Sequence, residues 1–399
     1  MKKINTWLTF DDGRRIFCGE MICRNPDDRG WIEGAFRHSP EYLEHHHAFP
    51  LDPVSLPLNP EIFEPNRSAG IFAVFEDSLP DDWGRRLLIR KAKLSRPRQT
   101  VPDLVIALGG TGMGALSYFE RDYNKPEAES ASILELDTLL EAALKFEQGY
   151  EFEDEEMRAL LRAGSSPGGA RPKVLIETKD AVQWVAKLPG VNDNYAVVQI
   201  EAAAMSLARK AISNVPETRL ITVGSRHVLL VKRFDIADEG GRHHMISMQT
   251  LLKAEGWYNL GYRDMFEVLR KYSFQPEVDI PALFCQMVFN VLIGNTDDHL
   301  KNFTMLHGRN GFYLSPAYDL LPDIANRREH VLYFSHAHRF PGHKTLIDMG
   351  RKLGVARPKK IVDQIRETVT GWKDEFEQFQ VPGHDIDRLA WDFNRRLTD

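Results

Sequence analysis

One octapeptide constrains this chain more than any other feature: Asn295-Thr296-Asp297-Asp298-His299-Leu300-Lys301-Asn302. It follows an apolar segment, residues 282–293, that ends at Gly294. The apolar spacing predicts a helix, and glycine suits the left-handed residue that ends one. A rigid helix therefore delivers a polar loop. Transfer of a phosphoryl group to a hydroxyl needs a carboxylate near the attacking oxygen and oxygen ligands for Mg²⁺. Asp297 and Asn302 stand five residues apart, the spacing of base and metal-binding asparagine in kinase catalytic loops. The His-Arg-Asp opening of ordinary protein kinases is missing.

A second signal is Phe312-Tyr313-Leu314-Ser315-Pro316-Ala317-Tyr318-Asp319, in which Asp319 lies 17 residues after Asn302. The reading is a short strand that leads to Asp319 at its end and faces the loop across a hairpin. Mg²⁺ prefers hard oxygen ligands, so Asp319 is the candidate second ligand beside Asn302.

A third signal is the strand at 182–188. Val185 and Lys187 share one face, and Trp184, Ala186 and Leu188 the other. A lysine on a central strand needs a negative partner. The next helix, residues 196–209, carries Glu201 beside an apolar stripe of Val197, Ile200, Ala204, Met205 and Ala208, so a Lys187–Glu201 pair is expected. Upstream stands Ser165-Ser166-Pro167-Gly168-Gly169-Ala170-Arg171-Pro172-Lys173, whose glycines let backbone N–H groups approach phosphate oxygens. Glycine loop, strand, turn at Lys179-Asp180, lysine strand and glutamate helix follow in the order of a kinase N-lobe.

These segments together resemble the HipA family of kinases over essentially the whole chain. Ser-Pro-Gly-Gly-Ala-Arg-Pro-Lys is similar to that family's phosphate loop, and Leu229-Leu230-Val231-Lys232-Arg233-Phe234-Asp235 to its hinge strand. Thr296 to Phe303 resembles its catalytic loop, and Tyr318-Asp319 its metal aspartate. Phe75 to Trp83 and Gly114 to Tyr118 resemble its N-terminal region. The resemblance implies a two-lobed, protein-kinase-like α+β fold with a β-rich accessory region (1–125), an N-lobe (126–245) and a mainly helical C-lobe (246–399). It implies Asp297 as base, with Lys187 and Glu201 as its catalytic companions, and Asn302 and Asp319 on Mg²⁺. ATP would be held by Ser166, Gly168, Gly169, Ala170, Arg171, Lys173, Lys187, the Lys232-Arg233-Phe234 backbone, His299, Lys301 and Tyr318. Ser166 aligns with an autophosphorylated serine. The implied partners are a small helix-turn-helix antitoxin, through which DNA is reached, and a protein substrate of the aminoacyl-tRNA synthetase class. A non-catalytic co-repressor and a small-molecule phosphotransferase stand as alternatives.

Composition agrees with a globular chain. The 399 residues exceed one comfortable core, and the formal charge of −6 argues against a surface that is basic throughout. Three cysteines, Cys18, Cys23 and Cys285, make no disulfide framework. With no leader-like apolar region and no run approaching 18 apolar residues, a cytoplasmic setting is expected. Local features are read plainly. Residues 109–114 form a flexible turn before a strand, and His45-His46-His47 a surface loop. The basic stretch from Arg85 to Lys93 is the solvated face of a helix, with an acidic partner or nucleic acid as the alternative.

Overall fold

Alternation of buried and exposed side chains builds the first sheet. Along β1 (Lys2–Thr9), Ile4, Thr6 and Leu8 are buried, as a two-residue period requires. β1 pairs antiparallel with β2 (Arg15–Cys23), β2 with β3 (Gly34–His38), and β3 with β4 (Ile62–Phe63); β5 (Leu116–Phe119) closes the other side of β1. The computed structural model describes residues 1–120, 131–150, 155–163, 171–325, 327, 329–334 and 339–398. They form two units, each assembled from separate stretches of chain.

The first unit comprises 1–186, 233–251 and 306–310. Its sheet packs Phe36 on Phe75 and Phe75 on Tyr118, with ring centroids 5.1 and 6.2 Å apart. Helix α1 (Asp82–Lys91) buries Trp83, Leu87 and Leu88. In α2 (Val101–Leu108), Thr100 accepts the Asp103 N–H. Helix α3 (Leu136–Glu147) is entered through a 3₁₀ turn whose Ser132 and Glu135 form a capping box. After α4 (Glu155–Ala163) come β7 (Lys173–Glu177), which pairs parallel with β6 (Ala131–Ser132), and then β8 (Gln183–Lys187).

The glycine turn before β5 is held, not loose. The Gly114 N–H donates to Asp235 Oδ2 at 2.7 Å, and the Gly112 carbonyl accepts from Arg242 at 3.1 Å. Asp235 also takes two bonds from Arg233, at 3.0 and 2.7 Å. Burial opposes ionisation of Asp235, but the Arg233 guanidinium, Arg242 and the Gly114 N–H outweigh it and bring its carboxyl down to about 2.

The second unit comprises 187–232, 252–305 and 311–399. Helix α5 (Val197–Ala211) lays Val198 and Ala202 on Leu229 and Val231 of β10 (Arg226–Lys232), which pairs antiparallel with β9 (Thr218–Val223). Helices then dominate: α6 (Tyr262–Tyr272), α7 (Pro276–Ile293), α8 (His343–Lys352), α9 (Pro358–Thr370), α10 (Trp372–Gln378) and α11 (Gly383–Thr398). Among the described residues α7 alone is long and apolar enough to cross a membrane, by length and composition, although Glu277, Asp279, Gln286 and Asn290 interrupt its apolar residues. It is 61% buried within the protein. Its buried Asp279 accepts the Leu314 N–H at 2.8 Å and the Ser273 hydroxyl at 2.6 Å, which marks a core helix.

Replacing Asp235 with Ala leaves Arg233 and Arg242 without their carboxylate. This is expected to cost about 3–5 kcal/mol of unfolding free energy, read from denaturant midpoints. Because the Asp235 pKa is depressed, its contribution is present above the ordinary value of 3.8 and is lost as pH falls through about 2. A midpoint unchanged at neutral pH contradicts this.

Candidate active site

The loop after α7 is aimed by its ends. Gly294 has φ +73° and caps the helix. An added Cβ there would lie 2.5 Å from the Asp392 carboxylate and 2.9 Å from Arg396 Nε, so no other residue fits without movement. The Asn295 side chain donates to Asn290 Oδ1 at 3.1 Å and to the Asp319 carbonyl at 3.4 Å. Thr296 donates to Asp323 at 3.1 Å.

The two adjacent aspartates then part. Asp297 is exposed, whereas Asp298 is 1% exposed. Asp298 Oδ1 accepts the Val331 and Leu332 N–H groups at 3.0 and 3.3 Å. Its Oδ2 accepts the Tyr262 hydroxyl at 2.8 Å and faces His330 Nδ1 at 3.0 Å. A buried carboxylate is tolerated when its lone pairs are filled in this way. The Tyr262 phenol is raised well above its ordinary pKa, by burial first and by Asp298 second. With one neighbour locked inward, the backbone turns Asp297 outward. The loop ends in a 3₁₀ turn, Leu300–Asn302.

Lys187, the last residue of β8, belongs to the second unit, as do Glu201 and Asp319. Its ammonium bonds the Glu201 carboxylate and, at 2.6 Å, Asp319 Oδ1. Glu201 is 7% exposed, held beside the packed face of α5. Burial alone would lower the Lys187 pKa, but Asp319 and Glu201 outweigh it and raise it above that of an ordinary lysine. The ammonium stays charged. Asp319 is not at a strand end, as the sequence reading had it. The strand is Gly311–Leu314, and Asp319 follows five residues later with φ +58°. What fixes it is a tie to the loop. The Tyr318 hydroxyl donates to the Lys301 carbonyl at 2.8 Å and lies 2.8 Å from Thr304 Oγ1.

Asn302 fits a metal-ligand role. Its Nδ2 donates to the Asp297 carbonyl at 3.0 Å. Its Oδ1 is therefore turned away, buried and without a hydrogen-bond partner. An orphaned buried oxygen beside a carboxylate-bearing segment suits a hard cation. Among the described residues no cluster of three or more His, Cys, Asp or Glu could hold a metal unaided, so a cation here would need further oxygens, such as phosphate.

The other expected residues are dispersed. Ser166, Gly168, Gly169 and Ala170 lie outside the described residues. Arg171 and the buried Lys173 are in the first unit, as are Arg233 and Phe234, while Lys232 is in the second. Arg233 is spoken for by Asp235 and by Gln183 Oε1, 3.0 Å away. The N–H groups of Lys232 and Arg233 donate to the Glu217 and Gln183 carbonyls, so these two donors already have protein acceptors. His299 is half-buried and Lys301 exposed. Sequence reasoning missed Asp298, Tyr262 and His330. The signal available was a second aspartate inside the loop, which spacing could not assign inward or outward.

The HipA N-terminal domain profile matches residues 24–119, and the HipA-like C-terminal domain profile matches 165–372. Two proteins of Sinorhizobium fredii named as candidate kinases are similar in sequence. Y4mE is 28% identical over 359 residues, which is 82% of this chain and 78% of its own length. Y4dM is 32% identical over 215 residues, 49% of this chain and 51% of its own. The structure of HipA from Shewanella oneidensis, solved with HipB and operator DNA, aligns with a TM-score of 0.69 over 98% of this chain and 96% of that one, at 17% identity. That likeness concerns the fold, which is the α+β, kinase-like fold expected from the sequence.

Removing the inward aspartate should cost stability, and removing the outward one should not. Asp298→Ala is expected to lose about 2–4 kcal/mol and to speed hydrogen exchange at the Val331 and Leu332 amides. Asp297→Ala should stay within about 0.5 kcal/mol of the parent. Equal melting curves for the two variants would refute the division of labour.

Proposed function

Since this chain belongs to the HipA family, we propose that it is an ATP-dependent protein serine/threonine kinase. The observation that carries the reading is the convergence of Lys187, Glu201 and Asp319, tied by Asn295 and Tyr318 to the loop that bears Asp297 and Asn302.

In this reading Asp297, exposed at the loop's outer side, accepts the proton of the incoming serine or threonine hydroxyl at its carboxylate. Lys187 gives its permanent positive charge to ATP phosphates, and Glu201 orients it. Asn302 Oδ1 and the Asp319 carboxylate hold Mg²⁺, which, when bound, offsets phosphate charge and aligns the transferring group. His299, Lys301 and Tyr318 border the phosphates. The loop from Ser166 to Lys173, Arg171 included, supplies further phosphate contacts, and the Lys232 to Phe234 backbone holds adenine through its carbonyls, since the Lys232 and Arg233 N–H groups are bonded within the protein. Phosphorylation of Ser166, or of its neighbour Ser165, would set a dianion among groups that serve ATP phosphates and so switch the enzyme off.

The partners follow from the same family membership. A HipB-like helix-turn-helix antitoxin would bind the chain and carry it to operator DNA, as HipB accompanies the Shewanella HipA. The substrate class we propose is an aminoacyl-tRNA synthetase, whose phosphorylation would halt translation in the cytoplasm.

The test is to incubate the chain with γ-labelled ATP, Mg²⁺ and a bacterial lysate, beside Asp297→Ala. The expected result is labelled protein carrying phosphoserine or phosphothreonine, reduced at least about 100-fold in the variant. Absence of transfer would point instead to a co-repressor, and label confined to small molecules to a small-molecule phosphotransferase.

A further inference from the structure

The first unit carries a stretch that phosphotransfer leaves without a role. Between Asp82 and Asp103 the chain has no acidic residue and seven cationic ones: Arg85, Arg86, Arg90, Lys91, Lys93, Arg96 and Arg98. α1 turns Trp83, Leu87 and Leu88 inward, and its period sends Arg86 and Arg90 outward. The helix closes at Ala92, and Lys93 takes φ +49°. The chain then turns into the short 3₁₀ segment Arg96–Arg98. All but Arg85 are exposed.

Some of these charges have partners within the protein. Arg85 pairs with Glu76 at 2.9 Å, and Arg98 lies 3.6 Å from Asp103, which Lys2 also approaches to 3.0 Å. The Arg86 guanidinium stands 5.9 Å from the Phe146 ring. Arg90, Lys91, Lys93 and Arg96 have no carboxylate at ion-pair distance among the described residues. The helix dipole accounts for cations in the last turn, Arg90 and Lys91, but not for Lys93 and Arg96 beyond it. Four unpaired cations within seven positions repel one another, and a chain of formal charge −6 does not need them for solubility.

We propose that this face grips the phosphate backbone of double-helical DNA. A protein partner would ask for apolar or aromatic anchors, and no large hydrophobic side chain between 83 and 102 is exposed. A single strand would ask for exposed aromatic faces on which bases stack; Trp83, the one aromatic residue in the stretch, is 1% exposed. Cations alone, held by a helix and the turn after it, match a regular row of phosphates and carry no base readout. The contact goes beyond DNA reached only through an antitoxin, and it does not depend on the kinase reading.

The test measures fluorescence anisotropy of a labelled random-sequence duplex of about 30 base pairs with the full chain, from about 50 to about 200 mM salt. The parent is compared with a variant carrying Arg90→Gln, Lys91→Gln, Lys93→Gln and Arg96→Gln. The parent should bind with steep salt dependence. The variant should bind at least about tenfold more weakly, with its log–log salt slope flattened by about three units, while its melting curve and ATP-dependent transfer stay unchanged. If the fourfold variant melts early, Lys93→Gln with Arg96→Gln, both beyond α1, should still lose about half of that slope change. Duplex binding that is absent, or equal in parent and variant, overturns the proposal. So does a loss seen with structured RNA or an acidic peptide but not with the duplex.

Discussion

The Lys187 ammonium is the interaction on which the second unit's chemistry rests. Burial opposes the charge of this half-shielded lysine, and the Asp319 and Glu201 carboxylates, which both reach it, outweigh that cost. The two carboxylates come from different kinds of structure. Glu201 sits on a helix whose small residues, Ala202 to Ala204, are fully buried, so its position is set by core packing. Asp319 sits on irregular chain in a left-handed conformation, so its position is set by hydrogen bonds to the neighbouring loop. One cation thus joins a packed element to a bonded one. In the proposed nucleotide complex the phosphates take up the ammonium's charge and Mg²⁺ takes up that of Asp319. The ion pair in this structure therefore keeps both groups charged and facing each other for that exchange.

Around this pair the support is polar and local. Asp298 draws Tyr262 from α6, His330, and the N–H groups of Val331 and Leu332 onto one buried carboxylate. Arg396 of α11 donates to the Val291 carbonyl at 3.1 Å, and its Nη1 lies 3.4 Å from His330 Nε2. The end of α7, the loop and the segment after Asp319 are thereby fixed to the last helix. The rigidity needed to aim Asp297 comes from its neighbour, not from Asp297 itself.

Much of this was legible in the sequence, for reasons that differ from residue to residue. Glu201 could be placed because a 3.6-residue period reports which helix positions are buried. Gly294 could be placed because few residues end a helix in the left-handed region. The order of strands and helix around Lys187 was legible from alternating patterns at 173–188. Asp319 was placed at a strand's end because strand periodicity carries no information about where a strand stops; its hold through Tyr318 and Asn295 is tertiary. Asp298 was passed over for the same reason, since its partners lie 32 to 36 residues away in sequence. The hinge stretch read as a nucleotide contact also turned out to contain Arg233, whose side chain is buried in an ion pair within the first unit.

The central claim is that Asn302 and Asp319 present their oxygens to one divalent cation in the company of ATP. Electron paramagnetic resonance of Mn²⁺, added with and without ATP, tests it most directly. The account predicts a bound-manganese signal that needs ATP and disappears in Asn302→Ala and again in Asp319→Asn, each variant folded. Bound manganese undiminished in both variants would contradict it.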